Sequence, residues 1–159
     1  MATAKTPAKV LTELNRQFNQ EFSAAYGYLA MSSWCMLRNL KGFGSFFAKQ
    51  SEEERKHAEK IMQHILNRQE SLEFTAIISR KQDFKSLPEV AERAQAMEQA
   101  NTRGINAVYE AALAAKDYPA QVLMHWFINE QVEEEKNEML FHRGESRLIL
   151  PDIEEFNAY

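Results

Sequence analysis

Glu21, Glu54 and His57 in the first half of the chain are matched by Glu98, Gln131 and Glu134 in the second. Glu21 to Glu54 is a step of 33 residues, and so is Glu98 to Gln131. Each half then adds one polar residue three positions on, giving Glu…Glu-x-x-His and then Glu…Gln-x-x-Glu. Residues three apart share a helix face. Two helical hairpins, each offering a lone carboxylate and such a pair, can enclose a dinuclear metal site inside a four-helix bundle.

A charged side chain in a bundle core is costly unless it is paired or bound to metal. Four carboxylates at one level repel one another and partly protonate, and cations relieve that repulsion. Partly hydrated polar residues without metal are the plain alternative. An oxygen-rich set with one imidazole suits iron or manganese, whereas zinc favours fewer ligands in tetrahedral geometry. With iron, bridging carboxylates hold two Fe(II) ions close enough for both to reduce one O2. Glu54 and Glu98 are the expected central ligands. Glu21 and His57 complete one metal, and Glu134 serves the other. Gln131 stands where a carboxylate would complete the symmetry, so one metal position is expected to be better ligated.

Glu53, Glu130 and Glu133 lie one position from these ligands. They form either a further, weaker cation site or a solvated acidic surface. Tyr28 comes two turns after Glu21 on the same face, where it can hydrogen-bond a ligand, donate an electron or simply pack. Trp126 reads as a core residue, and His64 as a packing or hydrogen-bonding one.

The elements that must carry these residues follow from apolar periodicity. Leu11, Leu14, Phe18, Ala25 and Tyr28 stripe a first helix over about 7–38, with Thr6 as cap and Pro7 at its first position. A short break ending at Gly42 leads to a second helix over 43–67, striped by Phe47, Gln50, Glu54, His57 and Ile61. Residues 68–85 lack helical period and read as a partly extended linker. Ser86-Leu87-Pro88-Glu89 is a capping box that opens a third helix over 87–116. Asp117-Tyr118-Pro119 starts a fourth over 118–143, and the tail 144–159 has room for one short fifth helix.

Short loops make each helix pair an antiparallel hairpin. About 18 linker residues at roughly 3.3 Å each reach some 60 Å, against roughly 38 Å for a 25-residue helix. One long crossover therefore joins the hairpins and brings both sets of ligands to one level.

Composition narrows the function classes. At 159 residues with 45% hydrophobic and 26% charged, the chain reads as a single all-α domain spanning 1–159. A net charge of −4 argues against binding nucleic acid. No apolar run is long enough to span a bilayer, and Met1 to Lys5 lacks a secretory core. The lone Cys35 reads as a small buried hydrophobe and fits a reducing cytoplasm.

The quoted residues resemble bacterial non-haem ferritin. The resemblance rests on Glu54-Arg55-Lys56-His57, on Glu21 and Glu98, on Leu14 to Gln17, on Asp117-Tyr118-Pro119 and on Trp126 to Lys136. It implies a ferritin-like bundle that oxidises Fe(II) with O2 or H2O2 and stores ferric mineral in a homo-oligomeric cage, usually of 24 subunits. It also implies a dinuclear centre of Glu21, Glu54, His57, Glu98 and Glu134 with Gln131 close by. A third iron site would comprise Glu53, Glu130 and Glu133 with Glu134 shared, and Tyr28 would stand beside the centre. Arg55 occupies the position of the haem-binding methionine of bacterioferritins, so no haem is expected. The competing functional class is a diiron oxidase or peroxide-detoxifying bundle that stores no mineral. A storage shell with a slow centre is a third reading.

Overall fold

The computed structural model describes residues 5–77 and 82–142. They form α1 (Ala8–Leu37), α2 (Lys41–Asn67), α3 (Leu87–Ala114) and α4 (Tyr118–His142). The four helices sit within two or three residues of the expected bounds. The expected fifth helix lies outside the described residues.

The helix ends differ from expectation in instructive ways. Pro7, not Thr6, is the residue capping α1, and its carbonyl accepts from Leu11. The Thr6 amide instead donates to Glu70 Oε1, 3.0 Å away. Gly42 lies inside α2, and the turn is made by Asn39 at φ 61°. Leu40 N donates to Cys35 O and Asn39 N to Met36 O, the paired bonds of a Schellman motif. Gln69 (φ 57°) and Lys116 (φ 54°) end α2 and α3 with the same bond pattern. None of the three is glycine, so the usual stop signal is missing from the sequence.

Helix starts follow the sequence more closely. Ser86 caps α3 by accepting from the Glu89 amide, while Glu89 reaches back to the Lys85 amide. Asp117 accepts from the Ala120 amide and also pairs with Arg68 at 2.7 Å. That fully buried carboxylate ties the end of α2 to the start of α4.

α1 packs on α2, α3 on α4, and α1 on α3. Between α2 and α4, Phe141 sits 5.2 Å from Phe43 and 5.1 Å from Phe46, ring centre to ring centre. The crossover runs along α1. Asn15 bonds the backbone of Ser71 and Glu73, Asn19 bonds that of Glu73 and Thr75, and the Trp34 indole donates to Phe84 O. From Asn15 to Trp34 is about 28 Å of helix, so the linker travels most of the bundle length. The two asparagines supply the hydrogen-bonding partners that a neighbouring strand would give an extended segment.

Two apolar clusters fill the core. One holds Tyr28, Met31, Trp34, Cys35, Phe47, Met97 and Phe141, and the other Leu14, Phe18, Ile61, Ile105, Met124 and Phe127. Along every helix the polar ligand positions fall between members of the two clusters. The site is thus a polar layer held between two hydrophobic ones.

Candidate metal centre

The first hairpin gathers its residues most tightly. Glu21, Glu54 and His57 are buried, with one donor atom of each within 4.8 Å of the others. His57 Nδ1 lies 3.6 Å from Glu54 Oε2 and 3.9 Å from Glu21 Oε2. These gaps are too long for hydrogen bonds. Two ligands bonded to one ion at about 2.1 Å sit roughly 3–4 Å apart, so the spacing suits a shared cation.

The orphaned atoms carry the same message. Glu21 Oε2, Glu54 Oε1, His57 Nδ1, Gln131 Oε1 and Glu138 Oε2 are buried without hydrogen-bond partners among the described residues. Buried polar atoms in folded proteins are nearly always satisfied. The first four atoms belong to one layer, with Glu138 a helical turn beyond it, and such a set matches a centre that metal ions would complete.

Other oxygens of the layer are oriented by amides. Gln17 Nε2 donates to Glu21 Oε1 at 2.7 Å, Gln50 Nε2 to Glu134 Oε2 at 2.7 Å, and Gln131 Nε2 to Glu98 Oε2 at 3.2 Å. Asn101 Nδ2 reaches Glu54 Oε2 at 3.4 Å. Gly104 lets α3 approach α1 here: a Cβ on it would stand 2.1 Å from Gln17 Oε1. Its missing side chain leaves room for the amide that aims Glu21.

Electrostatics follow from burial. Desolvation, then the neighbouring Glu21, pushes the Glu54 carboxyl well above the ordinary range. Glu98 is raised by burial, with the hydrogen bond from Tyr28 acting against the rise. Burial and then Glu98 push both Glu134 and Glu138 up to about 8. Burial also holds the Tyr28 phenol well above 10, so it is protonated and donates to Glu98 Oε1 at 2.6 Å. Glu54 stands against both Glu21 and Glu98, the position a bridging ligand needs.

The outer acidic residues are placed differently. Glu130 and Glu134 form a second group with His57, all within 4.8 Å. Glu53 is half-buried with Lys49 Nζ 3.9 Å away, and Glu133 is exposed. Neither joins a three-ligand group among the described residues. Trp126 is not a core residue: it is 38% exposed, edge-on to His57, with Lys60 over its ring. α4 turns it outward because Phe127, not Trp126, lies on the buried stripe. His64 is half-buried in a cavity near Arg68 and Asp117, remote from the polar layer.

Glu138 is the residue the sequence reading missed. It is 1% exposed, and the Tyr28 hydroxyl lies 3.1 Å from its Oε1. Its signal was present, because 127, 131, 134, 138 and 141 continue one helical stripe.

Comparison with known proteins bears on the family and the fold. The family model of the ferritin-like domain matches residues 11–139. Bacterial non-heme ferritin of Staphylococcus aureus is 40% identical over 126 residues, 79% of this chain and 76% of the relative. The Staphylococcus haemolyticus protein of the same name matches equally. Among solved structures, an open pore ferritin from Archaeoglobus fulgidus superposes with a TM-score of 0.85 at 30% identity, covering 94% of this chain and 97% of that one. A closed form engineered from the same ferritin gives 0.86 at 28% identity, covering 95% of each chain.

Proposed function

The chain belongs to the ferritin family, and from that premise we propose that it oxidises Fe(II) with O2 at the dinuclear layer and stores the ferric product in a cage of identical subunits. The observation that carries this reading is the layer of orphaned buried ligand atoms between two apolar clusters. Iron is the substrate. Glu21, Glu54 and His57 hold one Fe(II), Glu98 and Glu134 with Gln131 hold the second, and Glu54 and Glu98 connect them. Each Fe(II) gives up one electron, and O2 takes both with two protons to leave as H2O2. The apolar clusters limit water around the centre, and Tyr28 keeps Glu98 aimed through its hydrogen bond. H2O2 can replace O2 as the electron acceptor.

The unequal ligation of the two positions favours iron that passes through over iron held permanently. Glu130, with Glu134 and His57, gives departing iron a next foothold, and Glu53 and Glu133 lie beyond it as ligands of a third site. No described helix is long and apolar enough to cross a membrane, which suits a cytoplasmic store. The similarity to an open pore ferritin and its closed form supports a cage.

The test is stopped-flow absorbance after adding Fe(II) to aerobic apo-protein. Rapid oxidation should saturate at about two irons per chain, the capacity of one dinuclear bundle site. Further iron should stay soluble after aerobic loading. A species near one chain mass of 18.4 kDa by light scattering would sink the storage cage and leave a non-storing diiron oxidase or peroxide-detoxifying protein.

A further inference from the structure

We propose that Glu138 and Glu98 form an additional divalent-cation site at the floor of the groove between α3 and α4. The proposal rests on the dinuclear reading above, because Glu98 would be shared with that centre. The groove encloses about 370 Å³, with Gln95, Gln99, Glu135 and Lys136 around it and Glu98 and Glu138 lining it from within. Both buried acids therefore border a groove on the protein surface.

Glu138 lacks the partners a purely structural acid would have. Its side chain is 1% exposed, and its Oε2 has no hydrogen-bond partner among the described residues. Its Oε1 has only the Tyr28 hydroxyl, 3.1 Å away. That hydroxyl carries one proton, and Glu98 Oε1 is the nearer acceptor at 2.6 Å. Lys136 is exposed, and no ion pair joins it to either acid among the described residues. Buried polar atoms in folded proteins are nearly always satisfied, so the unpartnered Oε2 marks an acid left open to a partner from outside.

The chemistry points to a hard cation. The Glu98 and Glu138 carboxylates and the Tyr28 oxygen converge, with no nitrogen or sulfur among them. Oxygen-only sites suit Mg(II), Mn(II) and Fe(II), and water from the groove would complete the coordination. Glu138 is one helical turn beyond Glu134, about 6 Å along the axis. The site would therefore sit beside the dinuclear pair, toward the Phe141 end of the bundle, and away from the Glu130 side.

The experiment uses Mn(II) as the probe on the full chain. Crystals soaked in Mn(II) and measured at the manganese edge should show an ion bonded to Glu138 and Glu98, in addition to ions at Glu21, Glu54 and His57. Equilibrium dialysis should count one ion fewer per chain in Glu138→Leu. Glu138→Gln, which preserves shape and the contact with Tyr28, should lose the same ion. Ions at Glu21, Glu54 and His57 with none at Glu138, or unchanged counts in both variants, would overturn this site alone. No ion at Glu21, Glu54 and His57 would overturn the dinuclear reading on which it rests.

Discussion

The two hairpins carry matched ligand spacing and present it in different states. In the α1–α2 hairpin, Glu21, Glu54 and His57 cluster with three donor atoms unsatisfied. In the α3–α4 hairpin, Glu98 accepts from Tyr28 and Gln131, and Glu134 accepts from Gln50. The first half leaves one atom of each of these residues without a partner among the described residues, while Gln17 and Asn101 hold the second oxygens of Glu21 and Glu54. In the second half Glu98 and Glu134 accept hydrogen bonds and Glu134 keeps a proton at neutral pH, while Gln131 Oε1 and Glu138 Oε2 lack partners among the described residues. On the proposed reading, a cation bound by Glu98 and Glu134 would have to displace these bonds and that proton. Equal spacing in sequence thus meets unequal surroundings in space, and Gln131 stands where the first half has Glu54.

Removing a ligand from each half is the strongest way to break this comparison. Glu54→Ala should slow rapid Fe(II) oxidation more than about 100-fold, since even outer-shell partners of metal ligands cost 10- to 100-fold. Glu134→Ala should cost about tenfold, because the better-built position survives. Stopped-flow initial rates decide, and equal losses would refute the asymmetry.

Proton content gives the next effect. Glu134 and Glu138 sit at about 8 in the folded apo-protein against an ordinary 4.5. Between those values the unfolded chain loses protons that the folded chain keeps. Stability of the apo-protein should therefore fall as pH rises from about 4.5 to about 8, by up to about 1.4 kcal/mol per pH unit for each group. Urea midpoints at pH 5 and pH 7.5 measure it, and saturating Mn(II) should reverse the fall.

Gln131→Glu restores the missing carboxylate and should equalise the halves. The second Mn(II) should bind about tenfold more tightly, near 1.4 kcal/mol, by titration calorimetry. Unchanged affinity would mean that Gln131 is not what separates the two positions.

The hairpin turns offer the smallest contrast. Lys116 and Asn39 both adopt positive φ, which asparagine tolerates and lysine does not. Lys116→Gly should stabilise by about 1 kcal/mol and Asn39→Gly by less, as read by chemical denaturation.

The sequence by itself determined the four helices, the crossover and the level at which the candidate ligand residues meet. Periodicity and loop length are local quantities, and a 33-residue step survives any detail of packing. It also carried the capping box at Ser86 and the break of symmetry at Gln131. The tertiary structure decided the rest. Only packing shows that Asn15 and Asn19 hold the crossover, because their partners lie more than 50 residues away. Only rotation of α4 decides that Phe127 is buried and Trp126 is not, since neighbouring positions differ by about 100° around a helix. And only the meeting of α1, α3 and α4 shows that Glu138 shares the Tyr28 hydroxyl with Glu98, because those partners lie on other helices that the local stripe does not contain.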